Sequence, residues 1–150
     1  QVIAWVESYY VNGTDPGSVG SLNATSRQQF AEAFARWQQG DVPISQAPGL
    51  DGLIELLTPT FGPVRAELIA STEVTRVFTQ ATLTAEANNP YTMAYRFQTS
   101  ADERVCPICS PLNQQVTPKS SNGFGDLGWP PLHPRCRCSI SIETSQTIGR

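Results

Sequence analysis

All four cysteines of the 150-residue chain and its single histidine lie in one segment, residues 106–138. The segment begins with Cys106-Pro-Ile-Cys109 and ends with His133-Pro-Arg-Cys136-Arg-Cys138. Two thiols separated by two residues hold one metal ion well, because the turn between them points both sulfurs inward and aims backbone N–H groups at them. The imidazole and the two later thiols complete a ligand set. This spacing predicts a structural zinc site.

Zinc in a structural site takes four protein ligands, and five candidates are present. We expect Cys106, Cys109 and His133 to be three of them. Cys138 is favoured as the fourth, because a ligand in the following strand would tie the metal to the sheet, and Cys136 is the alternative. The remaining thiol would pack or hydrogen-bond beside the ligands.

Disulfides are the alternative use of these thiols, with Cys106 or Cys109 joined to Cys136 or Cys138. A bridge between Cys136 and Cys138 themselves would be strained. The composition is not that of a small secreted disulfide-rich domain, and disulfides would leave His133 without a role. Zinc is therefore the favoured interpretation.

The same residues argue against an enzyme. A catalytic zinc keeps an open position for water and needs a nearby acid or base, whereas here enough ligands exist to close the site. The chain has no H-E-x-x-H motif, and the order of its cysteines and histidine is the reverse of that in zinc deaminases. If His133 binds metal, no histidine is left for nuclease or hydrolase chemistry. We expect no catalytic residues and no cofactor besides Zn²⁺.

The charge of the chain favours neither nucleic acid nor membrane as a partner. The formal net charge is −3, so the chain as a whole has no electrostatic attraction to polyanions. Arg104, Arg135 and Arg137 form a small basic group near the cysteines. We interpret this group as solvated surface, with DNA contact as the alternative. No apolar run approaches the 18 residues that a membrane span needs.

Hydrophobic periodicity predicts helices first and strands later. Apolar residues recur at helical spacing in four segments, and Pro63 suits the first turn of the last and longest of them. Two later segments have strand character. The predicted helices lie at 2–10, 26–39, 49–57 and from 63 to about 87, and the predicted strands at 91–98 and 137–143. The predicted fold class is α+β: amphipathic helices followed by a small zinc-stapled antiparallel β segment.

Three pieces of the chain between residues 69 and 142 share the motifs of a known family. They are IASTEVTRVFTQA (69–81), TSADERVCPICSPLNQQV (99–116) and PPLHPRCRCSI (130–140). Together they resemble the phage Mu F-like minor head protein domain of tailed bacteriophages. The matching residues are Thr72–Glu73, Asp102–Glu103–Arg104, Cys106, Cys109, Leu112, Pro130–Pro131, His133 and Cys136–Arg137–Cys138. Gln114 and Ser71 depart from the pattern, where the family usually has Gly and commonly has Arg, and neither is a predicted ligand.

The resemblance implies a structural minor head protein of a tailed phage. Such a protein is associated with the portal and the head interior and is involved in head assembly, DNA packaging or DNA ejection. The implied partners are the portal protein and other head proteins, with no membrane, and the implied location is the virion, with the host cytoplasm during assembly. A DNA-binding module in contact with packaged DNA is one alternative. A delivery or docking domain of a larger effector, a toxin or nuclease, is the other.

The resemblance also suggests how the chain is divided. We expect residues 1–60 to be a helical segment that continues from an upstream part, because the chain does not begin with Met. Residues 61–143 would be the Mu F-like domain with the zinc site, and 144–150 a tail or linker.

Overall fold

The computed structural model describes residues 24–41, 49–100, 102 and 104–148. Within these residues the chain forms three α-helices and a three-stranded antiparallel sheet, which confirms the predicted α+β class. The chain divides into two compact units, residues 1–73 and 74–150. The helix predicted at 2–10 lies outside the described residues, and the three predicted domain ranges stay a prediction.

Helix α1 spans Ala24–Gln38, close to the predicted 26–39. Phe30 and Phe34 are fully buried, and the ring of Trp37 lies edge-on to that of Phe34 with centroids 5.3 Å apart. The indole N–H of Trp37 donates to the Gly49 carbonyl at 2.9 Å. Burying each phenylalanine contributes roughly 1.5–3 kcal/mol relative to leaving it exposed, so these rings hold α1 in the first unit.

Helix α2 spans Leu50–Phe61 and is longer than the predicted 49–57. The helix continues through Pro59, although a proline inside a helix removes one N–H donor and crowds the carbonyl four residues earlier. The helix ends at Gly62, whose φ of 76° favours glycine and whose N–H donates to the Thr58 carbonyl at 2.8 Å. Leu53 and Leu57 face the core of the first unit.

Helix α3 spans Pro63–Glu86 and begins at Pro63 as predicted. The apolar residues that recur at helical spacing along α3 include Ala66, Ala70 and Val77, which are buried, and also Phe78. Phe78 is instead 56% exposed, because consecutive helix positions differ by about 100° and Val77 already takes the inward direction. No helix of the described part of the chain is long and apolar enough to cross a bilayer.

The sheet has the strand order β2-β1-β3. Strand β1 spans Thr92–Gln98, β2 Val116–Pro118 and β3 Ser139–Thr144, and both outer strands are antiparallel to β1. The structure shows β1 and β3 near their predicted positions, whereas β2 was not predicted. Phe97 lies opposite Ile140 on one face, and Arg96 reaches Glu143 from the other at 2.6 Å.

An aromatic stack covers the apolar face of the sheet. Phe124 lies edge-on to Phe97 at 5.0 Å and to Trp129 at 5.6 Å, and Trp129 continues to Tyr95 at 5.4 Å between ring centroids. The loop that carries Phe124 and Trp129 connects β2 to the histidine. The sheet and this loop therefore position both halves of the predicted metal site.

Candidate metal centre

The first half of the site is the turn at Cys106–Cys109. The backbone N–H of Cys109 donates to the Cys106 sulfur at 3.3 Å, and the N–H of Ser110 donates to the Cys106 carbonyl at 3.0 Å. A short 3₁₀ turn, Ser110–Leu112, follows directly. These bonds hold the two sulfurs on the same side of the turn, as the spacing predicted.

His133 brings the second half of the site to this turn. Its Nε2 atom lies 3.0 Å from the Cys106 sulfur and 3.3 Å from the Cys109 sulfur. Its Nδ1 atom lies 2.8 Å from the Pro134 carbonyl oxygen. Because a carbonyl only accepts, Nδ1 carries the proton, which leaves the Nε2 lone pair directed at the sulfurs. This is the tautomer that a histidine ligand needs.

Cys136 approaches the same turn from the strand side. Its sulfur lies 3.9 Å from that of Cys109, and its N–H donates to the His133 carbonyl at 3.1 Å. Its own carbonyl accepts a hydrogen bond from the Thr75 hydroxyl of α3 at 2.7 Å. Sequence reasoning missed this role of Thr75, because a threonine on a helix carries no signal for a partner 61 residues away.

The five candidate ligands form two overlapping groups of three. In each group the ligand atoms all lie within 4.8 Å of one another. One group is Cys106, Cys109 and His133, and the other is Cys109, Cys136 and Cys138. Cys109 belongs to both groups and is therefore the centre of the cluster.

The separation between the Cys109 and Cys136 sulfurs fits a tetrahedral zinc ion. With Zn–S bonds of about 2.3 Å, two sulfurs on one ion lie about 3.8 Å apart, and the Cys109–Cys136 separation of 3.9 Å is close to that. The donor set of thiolates and one imidazole is also the set that zinc prefers. The residues present can hold a metal ion, and the choice of Cys136 or Cys138 as fourth ligand stays a prediction.

The thiols differ strongly in acidity. A hydrogen bond from Cys138, which outweighs burial, lowers the pKa of Cys136 to about 5. Burial raises the pKa of Cys109 to about 12, and the bond to Cys136 together with burial raises the pKa of Cys138. In the metal-free cluster, negative charge therefore collects on Cys136. Metal binding at Cys109 would displace the proton that this thiol retains.

Apolar side chains enclose the cluster. Cys109 and Cys136 are each 1% exposed and share one core with Phe97 and Phe124. Partly buried Val105, Leu112, Trp129, Leu132 and Ile140 pack against the same core. An apolar shell of this kind limits the access of water to a bound ion, which suits a structural centre.

Arg137 lies between the two strand-side cysteines and pairs with Asp102. The guanidinium donates two hydrogen bonds to the carboxylate, at 2.7 and 2.9 Å. Asp102 also accepts from the backbone N–H of Arg104 at 3.0 Å, and Arg137 and then this N–H keep the pKa of Asp102 below its usual value. The pair joins the chain before Cys106 to the chain after Cys136. Arg137 was predicted as part of a basic surface group and of the family motif, whereas its pairing with Asp102 was not predicted.

A family model described as Phage Mu protein F like protein matches residues 49–141, well over half of the chain. The matched range contains all five candidate ligands, β1, β2 and the start of β3. No curated protein matches the chain, and no solved structure matches it.

Proposed function

Since the chain belongs to the phage Mu protein F like family, we propose that it is a structural minor head protein of a tailed phage, associated with the portal. Membership of this family makes it a phage head protein with other head proteins as partners. The family match over residues 49–141 is the observation that carries the proposal. A role in head assembly, DNA packaging or ejection, and a stage in the host cytoplasm, belong to the same proposal.

Zinc in this proposal is structural. It would join the turn at Cys106–Cys109 to the segment before β3, two segments separated by a connection that contains β2 and two short 3₁₀ turns. Because a preformed site does not exist in an unfolded chain, the free energy of metal binding adds to the free energy of folding. The ion would thus stabilise the fold of the β-containing unit.

We also propose that the chain is not an enzyme. Its single histidine lies within 3.3 Å of two cysteine sulfurs, so metal binding would occupy the one imidazole available as general acid or base. A closed set of four protein ligands would leave no position for a reactive water.

Metal analysis tests the structural centre. The chain, purified from zinc-supplemented cells, should contain about one zinc ion per molecule by elemental mass spectrometry. Cys106→Ser and His133→Ala should lower that content, whereas the neighbouring exposed change Ser110→Ala should not. A chain that folds with no metal and with all thiols free would contradict the structural zinc.

Co-expression tests the portal association. The chain and the portal protein of the same phage should co-elute in size-exclusion chromatography, while a mixture with the major head protein alone should not give that peak. Portal that elutes without the chain, from cells in which both are soluble, would contradict the association.

Contact with packaged DNA is a second candidate with weaker support. Arg137 already pairs with Asp102 through two hydrogen bonds, so less of the basic group is available to phosphates. If DNA contact occurs, fluorescence anisotropy at low salt should show binding that Arg104→Glu and Arg135→Glu abolish. Docking or delivery of a larger effector protein is a third candidate. Sequencing the full gene tests it, because this role requires an effector domain on the same chain.

A further inference from the structure

The cysteine cluster holds more thiols than one zinc ion needs, and two of them are already in contact. The sulfurs of Cys109 and Cys136 are 3.9 Å apart. The two residues belong to different chain segments, and both are 1% exposed. A disulfide needs a sulfur separation of about 2.0 Å, so the two sulfurs would have to approach each other by about 2 Å to form the bond.

We propose that Cys109 and Cys136 form a disulfide when the metal is absent and a disulfide oxidant is present. The bond would connect the same two segments that the metal connects, the turn at Cys106–Cys109 and the chain that enters β3. The disulfide would then replace the metal as the cross-link between these segments. The proposal goes beyond the structural zinc and does not depend on the role of the chain in the phage head.

Access to the buried pair is explained by Cys106. This thiol is only half-buried, and it accepts the N–H of Cys109 at 3.3 Å. The Cys106 thiolate would attack a small disulfide such as oxidised glutathione, forming a mixed disulfide and releasing one glutathione. Cys109 would then attack the Cys106 sulfur and release the second glutathione. Finally, Cys136 would attack the Cys109 sulfur and release the Cys106 thiolate.

The three exchange steps together transfer two electrons from the protein to glutathione disulfide. Cys109 and Cys136 each lose a proton and together lose two electrons, while one glutathione disulfide takes up both and leaves as two thiols. Cys106 ends as it began. Of the four cysteines, two should therefore remain as free thiols.

This exchange matches the two redox environments that a phage head protein meets. Thiols stay reduced in a bacterial cytosol, where the chain is made, and disulfides persist outside cells, where a virion travels. A metal that is lost outside the cell would leave a cluster already arranged to oxidise, and the connection between the two segments would not be lost with it.

The test uses the full chain and oxidised glutathione as the probe. After removal of metal with a chelator, oxidation should lower the number of titratable thiols from four to two, and non-reducing peptide mapping should find the Cys109–Cys136 bond. The chain loaded with zinc should keep its thiols under the same conditions. Cys138→Ser should leave the mapped bond in place, and Cys136→Ser should abolish it.

Other products would overturn the proposal. A main product joining Cys106 to Cys109, or Cys136 to Cys138, would show that the contact between the two segments does not direct oxidation. So would the same mixture of products from the folded chain and from the chain in denaturant. Metal content measured on the reduced chain is independent of this result, so the zinc proposal stands or falls separately.

Discussion

Cys109 is the residue on which the proposed metal centre depends most. It belongs to both groups of ligand atoms. Its sulfur lies 3.3 Å from the Nε2 atom of His133 and 3.9 Å from the sulfur of Cys136. We expect Cys109→Ser to weaken metal binding by more than about 100-fold, because the loss of a residue that only hydrogen-bonds to a ligand already costs about 10–100-fold. Competition with a chromophoric chelator measures this affinity.

The matched comparison is between Cys136→Ser and Cys138→Ser. The larger loss of affinity identifies the fourth ligand. A Cys109→Ser variant that binds metal as tightly as the natural chain would contradict the central position of Cys109.

The ion pair between Arg96 and Glu143 gives a residue-scale prediction of stability. The side chains are 17% and 6% exposed and 2.6 Å apart, so water screens the pair little. We expect Glu143→Gln to lower the free energy of unfolding by about 2 kcal/mol, because hydrogen bonds to charged groups contribute about 1.5–3 kcal/mol. Asp41→Asn, in the exposed pair with Arg36, should cost less than about 1 kcal/mol. Urea denaturation compares the two.

The same pair should make stability depend on pH. The hydrogen bond from Arg96, followed by that from Thr147, lowers the pKa of Glu143 from its ordinary 4.5. A group with a lowered folded pKa stabilises the fold above its unfolded pKa, and this contribution is lost as pH falls through the folded pKa. The difference in stability between the natural chain and Glu143→Gln should therefore be full near neutral pH and shrink below about pH 4.5. A difference that stays constant down to pH 3 would contradict this account.

Residue types and spacing alone identified the five candidate ligands, since thiolates and an imidazole this close in sequence suit zinc. They did not reveal the partners that position those ligands. The Thr75 hydroxyl donates to a carbonyl 61 residues later in the chain, and Asp102 pairs with an arginine 35 residues later. Such contacts depend on the tertiary fold, and no local pattern encodes them.

At the scale of elements, the loop between β2 and His133 depends on one close backbone approach. A Cβ atom built at Gly123 would lie 2.2 Å from the Gly128 carbonyl carbon, and the φ of Gly123 is +128°. The approach lets the Phe124 N–H donate to the Gly128 carbonyl at 2.9 Å, which places Phe124 and Trp129 over the sheet.

We expect Gly123→Ala to destabilise the chain by about 3 kcal/mol or more, because a strained backbone conformation alone costs about 1–3 kcal/mol and the clash with Gly128 adds to it. Gly125→Ala is the matched control. Its φ is +61°, and the added Cβ would meet nothing within 4 Å, so its cost should stay near 1–2 kcal/mol. Equal melting temperatures for the two variants would show that the close approach does not limit stability.

The prediction of helices and strands succeeded where the apolar pattern repeats over many residues. Helix α3 has 24 residues, and its apolar positions repeat over many turns. It failed for β2, which has three residues and ends in Pro118, because so short a segment shows no alternation. It also ended α2 at residue 57 instead of Phe61, since tertiary burial of Leu53 and Leu57 outweighs the cost of a proline in the last turn.

At the scale of the whole molecule, we expect the two compact units to respond differently to removal of the metal. The unit of residues 74–150 has the cysteines in its core with Phe97 and Phe124. The buried side chains of the first unit include Phe30, Phe34, Leu53 and Leu57. A chelator should therefore unfold or loosen the second unit. The near-UV circular dichroism of Tyr95 and Trp129 should be lost, while most helical far-UV signal from the first unit remains.

Calorimetry measures the size of this effect. A loss of about 3 kcal/mol lowers the melting temperature of a 60–100-residue domain by about 12–24 °C, and structural zinc contributes at least that much in small domains. Added zinc should restore the transition, whereas added magnesium, which prefers oxygen ligands, should not. If both units melt together and at the same temperature with and without the ion, the cluster is not a structural centre, and the fold of the second unit rests on its aromatic core alone.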